Sequence, residues 1–388
     1  MNNRPYDLAL LGATGFTGQL TAAYLAEHGP PGLKVLLVGR NLAKLEKVQA
    51  GLHNRENFAL AQADVGDPGS LVKAIAQARV LITTVGPFDQ YGEPVVAACV
   101  EAGTDYVDIT GEPQFVDRMI LRYDAAAQAK GVRIVPCCGF DSIPHDLGVY
   151  YTVKLLPEGE PIRIEGFVRA KGGVSGGTYQ SAVNAMGKAK EVQAVRKERR
   201  RAEVPLIGRK VGSLYPKLHY EPRIKAWAVP FPSIDPDVIA RSARTLERYG
   251  PDFRYAHYLS VKKASTMATL VGGVGVVFAL AQLRPTRELL LKLKSSGEGP
   301  DEATRAAGRF EVRFFAQAGP TSLVTRVHGG EPGYSETAKM LGESALCLAF
   351  DRERLPARAG LLTTATAMGD PLIERLQKAG ITFEQVTS

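Results

Sequence analysis

The chain has 388 residues, of which 45% are hydrophobic and 23% charged, and its formal net charge is +8. This globular composition provides material for two or three domains, while four cysteines are too few for a disulfide framework and indicate a reducing, intracellular compartment. The first residues enter an apolar strand with no basic region and no cleavage site, so we expect no signal peptide.

Three glycines spaced by three follow the first predicted strand, at 7–11, and open a helix over about 15–28. Gly12 permits a tight turn, Gly15 allows phosphates to approach the backbone, and Gly18 allows the helix to pack close to the sheet. The helix N-terminus then presents free N–H groups to an anion. A glycine-rich turn without a ligand remains the alternative at this point.

The second strand, at 34–39, ends at Arg40, where NAD-binding proteins carry an acidic residue for the ribose 2′-hydroxyl. A guanidinium suits a 2′-phosphate, so we predict NADP rather than NAD. A solvated surface charge at a helix start is the alternative for Arg40. The third strand ends at Asp64, which is placed either to accept from an adenine amino group or to cap the helix that begins near Pro68.

Three more strands, at 79–85, 104–110 and 132–138, alternate with helices and short loops. Six such units predict a doubly wound parallel sheet of the Rossmann type with right-handed crossovers. The loop after the fourth strand lies where a nicotinamide ribose is expected. The residues predicted to bind the dinucleotide are Gly12, Thr14, Gly15, Phe16, Thr17, Gly18, Arg40, Asp64, Thr84, Gly86, Pro87 and Phe88.

The second half alternates apolar and charged residues at 161–169, 310–314 and 323–327, which is typical of half-exposed strands. We predict an α/β chain with a dinucleotide-binding domain at 1–145, a second α+β domain with a mixed or antiparallel sheet at 146–335, and C-terminal helices at 336–388 that pack back on the cleft or the first domain. A glycine-rich loop at 171–178 precedes a helix at about 178–200 and is expected either to face the cleft or to be a plain linker.

Two segments of the second domain bear on partners. Residues 188–225 carry twelve Lys and Arg against four acids, but no nucleic-acid-binding fold accompanies them, so we expect no nucleic acid. Residues 264–283 contain no charge. Three interpretations remain for them: a buried helix or hairpin, a segment that dips into a membrane or lipid-droplet surface beside the basic insert, and a weak transmembrane span.

The candidates for chemistry lie near the junction of the two domains. No Cys or His spacing typical of a metal site occurs, so we predict no metal. Asp141, Ser142 and His145 follow the sixth strand and are candidate proton or hydroxyl donors, with Tyr91 as a further donor. A helix cap is the alternative for Asp141 and simple packing the alternative for His145. Weaker candidates are Tyr106, Tyr179 and Cys138.

Four motifs taken together resemble the saccharopine dehydrogenase-like oxidoreductases, in the branch that holds the mycobacterial trans-acting enoyl reductases and the animal saccharopine dehydrogenase-like protein. They are the glycine turn, Thr83–Phe88 with Tyr91 and Gly92, Gly103–Glu112, and Cys138–Asp146; the segment Gly360–Gly369 fits the same branch. The resemblance implies an NADP-binding Rossmann domain, a second α+β domain, and either reduction of a lipid-like or polyketide-like substrate or a lipid-associated role.

Three functions follow from these observations. The first is an NADPH-dependent reductase of a C=C or C=O bond in a lipid-like or acyl substrate. The second is a saccharopine-type oxidoreductase acting on a C–N bond of an amino acid, and the third is a non-catalytic nucleotide-binding protein at lipid surfaces. We expect a cytoplasmic protein with peripheral lipid association as an option, and a homodimer is left open.

Overall fold

The computed structural model describes residues 4–172, 176–293 and 299–386. Its first part is the predicted parallel sheet. The strands of this part are β1 (Tyr6–Leu11), β2 (Val35–Gly39), β3 (Phe58–Gln62), β4 (Ala78–Thr83), β5 (Asp105–Asp108) and β6 (Arg133–Val135). The helices between and after them are α1 (Phe16–His28), α2 (Leu42–Ala50), α3 (Pro68–Ile75), α4 (Phe88–Ala102), α5 (Pro113–Lys130) and α6 (Ile143–Leu155), with a 3-10 turn at Arg55–Asn57.

The second part is a mixed sheet built after α6. Its strands are β7 (Ile162–Lys171), β8 (Lys210–Ser213), β9 (His219–Glu221), β10 (Ala226–Pro230), β11 (Asp252–Val261), β12 (Arg309–Ala318) and β13 (Thr321–Gly329). The helices of this part are α7 (Gly176–Gly187), α8 (Ala189–Ala202), α9 (Asp235–Thr245), α10 (Ala264–Ala281), α11 (Arg284–Lys292) and α12 (Glu302–Ala306), with a 3-10 turn at Glu247–Tyr249.

The C-terminal segment returns to both sheets. It forms α13 (Ser335–Phe350), a 3-10 turn at Arg352–Arg354, β14 (Gly360–Leu361), α14 (Thr364–Ala367), α15 (Asp370–Lys378) and β15 (Thr382–Val386). Strand β14 extends the first sheet, whose order is β14-β6-β5-β4-β1-β2-β3, and β15 extends the second, whose order is β15-β13-β12-β7-β11-β10-β9 with β8 beside β11. The predicted fold class is confirmed, whereas the predicted domain boundaries at 145 and 335 stay predictions.

The apolar residues of β1 explain why the parallel sheet is covered on both faces. Leu8 and Leu10 point into one apolar layer, and Ala9 and Leu11 point into the opposite one. The first layer continues without interruption into the mixed sheet through α6, where Gly148 lets the ring of Phe314 approach closely: a Cβ there would lie 2.4 Å from Cε2 of that ring. The two sheets therefore share one core, and the site residues that follow β6 lie between them.

Three expectations about local structure need correction. The expected helix at 178–200 is two helices that meet at Lys188, and α3 is capped by Asp67, which accepts from Gly69 and Ser70, rather than by Asp64. The interpretation of 264–283 as a buried helix is wrong, because only 6% of the α10 window is buried. The glycine-rich loop at 171–178 lies partly outside the described residues, and its role is untested.

The basic segment at 188–225 is partly neutralised by ion pairs within the fold. Arg199 is buried and pairs with Asp117 and Glu203, while Arg196 pairs with Asp237. Asp117 lies on α5 and Asp237 on α9, so these two arginines join α8 to both neighbouring helices.

Candidate active site

The glycine turn has the shape that a pyrophosphate requires. Gly12 adopts φ +90°, and a Cβ on it would lie 2.7 Å from Thr84 Oγ1. A Cβ on Gly18 would lie 2.1 Å from the carbonyl oxygen of Gly12, so only glycine allows α1 to begin this close to the turn. A Cβ on Gly15 would meet only the Gly12 carbonyl oxygen, at 3.4 Å, so the approach to the helix N-terminus is open there. These residues fit a bound dinucleotide.

The neighbours of the turn hold its shape. Thr84 Oγ1 donates to the Gly12 carbonyl over 3.2 Å, and thus ties the turn to the loop after β4. The carbonyl groups of Thr14 and Thr17 accept from the side chains of Gln19 and Thr21. The ring of Phe16 meets the edge of Tyr334 at 4.9 Å and the guanidinium of Arg305 at 5.5 Å, so this residue contacts the second part of the chain.

The two residues predicted at the adenosine end lie at the ends of adjacent strands. Arg40 is exposed directly after β2, and among the described residues no carboxylate pairs with its guanidinium. Asp64 follows β3, where its Oδ1 accepts from the Gly66 N–H over 2.8 Å. Arg40 is therefore free to meet a 2′-phosphate, and the roles of both residues stay predictions.

The loop after β4 is anchored by a carboxylate that the sequence analysis did not single out. Glu112 accepts from the N–H groups of Phe88 and Asp89 at the start of α4, over 3.0 and 2.9 Å, and from the hydroxyl of Ser181 on α7 over 2.8 Å. Gly86 and Pro87 form a cis peptide bond just before this helix. The ring of Phe88 is buried 5.9 Å from Phe115, and a Cβ on Gly86 would lie 3.6 Å from its Cε2, so the ring supports the loop from the core.

The candidates after β6 converge on a buried carboxylate from α9. Asp235 Oδ1 accepts from Ser142 Oγ over 3.2 Å and lies 3.3 Å from His145 Nδ1. Its Oδ2 lies 3.4 Å from His257 Nε2 and accepts from Ser233. The residues of this cluster, which we call the Asp235 cluster, are Ser142, His145, Ser233, Asp235 and His257.

The electrostatics of the Asp235 cluster follow from its burial. Burial opposes ionisation of the Asp235 carboxyl, but the neighbouring His145 and the hydrogen bond from Ser233 hold its pKa well below its usual range, so this group stays ionised. Burial lowers the pKa of His257 to about 3, so this ring is neutral at ordinary pH, with Nδ1 2.8 Å from the Tyr255 hydroxyl. Asp235 therefore keeps its negative charge inside the cluster.

Asp141 lies next to this charge. A Cβ on Gly111, at the exit of β5, would lie 3.3 Å from Asp141 Cγ, so a glycine leaves room for this carboxyl at the edge of the parallel sheet. Burial first, and the charge of Asp235 second, raise the pKa of Asp141 to about 7. The helix cap considered for Asp141 is absent, since α6 begins after Ser142 and has no side-chain cap. Asp141 can thus hold a proton near neutral pH.

The other candidate donors lie apart from the Asp235 cluster. Tyr91 is 41% exposed on the first turn of α4, and among the described residues it has no polar contact with the cluster. Tyr106 is fully buried and donates to Asp108 over 2.6 Å. Cys138 is fully buried, and burial raises its thiol pKa well above the usual range, while Tyr179 packs beside Val183 and Leu290.

Sequence spacing did not reveal one arrangement of potential metal ligands. His145, Asp235 and His257 offer ligand atoms that all lie within 4.8 Å of one another. They come from α6, α9 and β11, so no short motif could have indicated them. The expectation of no metal stays a prediction.

Known proteins resemble this chain over nearly its whole length. Residues 8–135 match the family of the saccharopine dehydrogenase NADP-binding domain. A Mycobacterium tuberculosis protein provisionally named a trans-acting enoyl reductase is 36% identical over 98% of this chain and 97% of its own. The human saccharopine dehydrogenase-like oxidoreductase is 32% identical over 99% and 98%, and the trans-acting enoyl reductase of Mycobacterium ulcerans is 33% identical over 97% of both chains.

A solved structure shares the fold at low identity. The saccharopine dehydrogenase (L-Glu forming) of Saccharomyces cerevisiae superposes with a TM-score of 0.56 at 13% identity, covering 98% of this chain and 100% of that one. With the family match over β1–β6 and relatives above 30% identity, the chain belongs to the saccharopine dehydrogenase-like oxidoreductases and is an NADP-binding enzyme.

Proposed function

We propose that this enzyme uses NADPH to reduce the C=C bond of an enoyl group, or a C=O bond, in a lipid-like or polyketide-like acyl substrate. The observation that carries the proposal is the position of Asp141, whose carboxyl follows β6 and lies against Gly111 at the exit of β5 in an NADP-binding sheet, where burial and the charge of Asp235 raise its pKa to about 7. The names of the mycobacterial relatives favour the enoyl group over the other acceptors.

The cofactor is held by the parallel sheet. The N-terminus of α1 and the open face of Gly15 would receive the pyrophosphate, Arg40 would receive the 2′-phosphate, and the loop Gly86–Pro87 would contact the nicotinamide ribose. When bound, NADPH supplies a hydride for the β-carbon of the substrate.

Reduction of an enoyl group also requires a proton at the α-carbon. Asp141 supplies it from its carboxyl group and is left as a carboxylate, which regains a proton from water when product leaves. Asp235 keeps a negative charge beside Asp141, and this charge holds the Asp141 proton in place until the substrate takes it.

The other cluster residues position this pair. Ser142 donates to Asp235, so its hydroxyl orients the carboxylate and is not available to the substrate in this arrangement. His145 is 2% exposed, and its Nε2 has no hydrogen-bond partner among the described residues. Its Nδ1 lies 3.3 Å from Asp235 Oδ1, so His145 also contacts this carboxylate, and the assignment of His145 and Ser142 as direct proton donors stays a prediction.

The test is NADPH oxidation by the full chain in three separate assays. The acceptors are a long-chain enoyl thioester, a matched β-keto thioester, and a mixture of a 2-oxo acid with an amino acid. We expect oxidation with a thioester, and deuterium from heavy water at the α-carbon of the saturated product. Turnover only with the oxo acid and amine would replace this proposal with C–N chemistry, and no turnover with tight NADPH binding would favour the non-catalytic alternative.

A further inference from the structure

Helix α10 is an apolar helix that the fold leaves uncovered. It is 18 residues long, has a mean hydropathy of 1.8, and among the described helices it is the one long and apolar enough to cross a membrane by length and composition. Only 6% of it is buried, and Val271, Val276 and Phe278 are 45, 59 and 46% exposed. Soluble proteins rarely expose so continuous an apolar surface to water, so we expect a partner to cover this surface.

The next helix extends the same apolar surface. Leu283, Leu289 and Leu293 on and around α11 are 63, 65 and 71% exposed. We call α10 and α11, with the residues that flank them from 262 to 293, the apolar hairpin.

The charges of the apolar hairpin favour an anionic partner. Lys262 and Lys263 precede α10, Arg284, Arg287 and Lys292 lie in α11, and Glu288 is the single acid between 262 and 293. Cations at both ends of an uncharged helix match the headgroups of an anionic bilayer, into whose interface the apolar side chains insert.

Both ends of α10 are fixed to the same folded part of the chain. Val261, the last residue of β11, is buried, and Ala281 at the far end is fully buried against α7. Gln282 Nε2 donates to the Met186 carbonyl over 2.9 Å. A helix held at both ends by one body suits a position in the plane of the membrane interface, and disfavours a crossing.

Helix α7 connects the apolar hairpin to the cofactor loop. Arg287 Nη1 donates to the Gly187 carbonyl over 3.1 Å at one end of α7. From the middle of the helix Ser181 reaches Glu112, and just beyond it Lys188 Nζ lies 2.9 Å from Asp89 Oδ2. One short helix thus contacts both the apolar surface and the start of α4.

We propose that the apolar hairpin docks onto the surface of an anionic lipid bilayer with α10 in the interface, and that α7 then holds the start of α4 near that surface. The docking does not depend on the reduction proposed above. An acyl substrate entering from the bilayer would depend on that reduction.

The test is flotation of the full chain with vesicles of phosphatidylcholine alone and with phosphatidylglycerol added. We expect binding to the anionic vesicles, and a loss of more than about tenfold in the triple variant Val274→Gln, Val276→Gln, Phe278→Gln. Lys262→Gln with Lys263→Gln should weaken binding to anionic vesicles by about fivefold per charge and leave the weak binding to neutral vesicles unchanged. Val204→Gln with Ile207→Gln is the matched control, because these residues are 82 and 96% exposed outside the apolar hairpin.

Each outcome bears on the proposal. Absence of flotation, or flotation that the triple variant retains, overturns it. A concentration-dependent dimer that the triple variant abolishes, without vesicle binding, assigns the surface to a second copy of the chain instead. NADPH titration of every variant shows that the cofactor domain is folded, and separates a failure of docking from a failure of the proposed reduction.

Discussion

The glycine turn and the Asp235 cluster are both polar sites at the carboxyl edge of the parallel sheet. They differ in whether backbone or side-chain groups form the site. At the turn the functional groups are backbone N–H groups, and side chains are excluded: a Cβ at Gly18 would lie 2.1 Å from a carbonyl oxygen. In the cluster the functional groups are side chains from α6, α9 and β11, turned inward around one carboxylate.

Because the two sites use different groups, the glycine turn bears on cofactor binding and the Asp235 cluster bears on the reaction. Backbone groups at a helix N-terminus bind any phosphate group in the same way, so the turn fixes the cofactor and leaves the reaction open. The Asp235 cluster fixes the protonation state of Asp141 through burial and charge, so it bears on the reaction. Substitutions at the turn should therefore change cofactor binding, whereas substitutions in the cluster should change proton transfer and its dependence on pH.

The largest effect is expected from Gly18→Ala. The added Cβ has no room against the Gly12 carbonyl, so α1 must shift; we expect a loss of about 1–3 kcal/mol of stability and of most NADPH affinity. Thermal unfolding and NADPH titration measure both. Gly51→Ala is the matched control, because φ there is −87° and a Cβ would meet its nearest neighbour at 3.6 Å. Normal NADPH binding by Gly18→Ala would contradict the assignment of the turn.

Asp141→Asn should change stability in a direction that depends on pH. The pKa of Asp141 is raised to about 7 in the folded protein, so the folded chain keeps a proton that the unfolded chain releases. The favourable contribution is present below the usual carboxyl range and is lost as the pH rises through about 7. The variant should therefore gain stability relative to the parent at pH 8, by about 1.4 kcal/mol for each unit of raised pKa at most, and not at acid pH.

Denaturant unfolding at several pH values measures this difference. Glu158→Gln, at an exposed carboxyl, is the control and should show no such trend. A variant that loses the same stability at every pH would show that Asp141 does not carry a raised pKa.

Arg40→Asp tests the adenosine end of the cofactor site. Removing the guanidinium and adding a carboxylate should lower affinity for NADPH by about tenfold or more and leave NADH binding nearly unchanged, since only NADPH carries the 2′-phosphate. Arg55→Asp, also at an exposed arginine, is the control. An unchanged ratio of the two dissociation constants would remove Arg40 from the site.

The smallest effect is expected from Glu112→Gln. The amide has one oxygen where the carboxylate accepts from two N–H groups of α4, so the variant should lose about 1 kcal/mol. Thermal unfolding measures this loss. Glu101→Gln, at the other end of α4, is the control. Equal behaviour of the two variants would show that Glu112 does not cap the helix.

The sequence predicted those parts of the molecule whose residues lie close together along the chain. The glycine turn lies within seven residues, and Arg40 was found by its distance from it. Asp235 lies in α9 and His257 in β11, and they meet His145 only through the fold. No local pattern contains that contact.

Helix α10 shows a second limit of prediction from sequence, which concerns burial. An uncharged apolar segment has the same composition in a core and at a lipid surface, so its sequence could not decide between burial and exposure. The folded contacts decide, because only its end at Ala281 is fully covered.

The most direct test of the account is the pH dependence of kcat for NADPH-driven reduction of an enoyl thioester by the parent and by Asp141→Asn. We predict that kcat of the parent falls above an apparent pKa near that of Asp141, about 7. The variant should be slower by about 100-fold or more, with the falling limb absent and NADPH affinity retained. A variant with the parent's rate and pH profile would contradict the assignment of Asp141 as the proton donor.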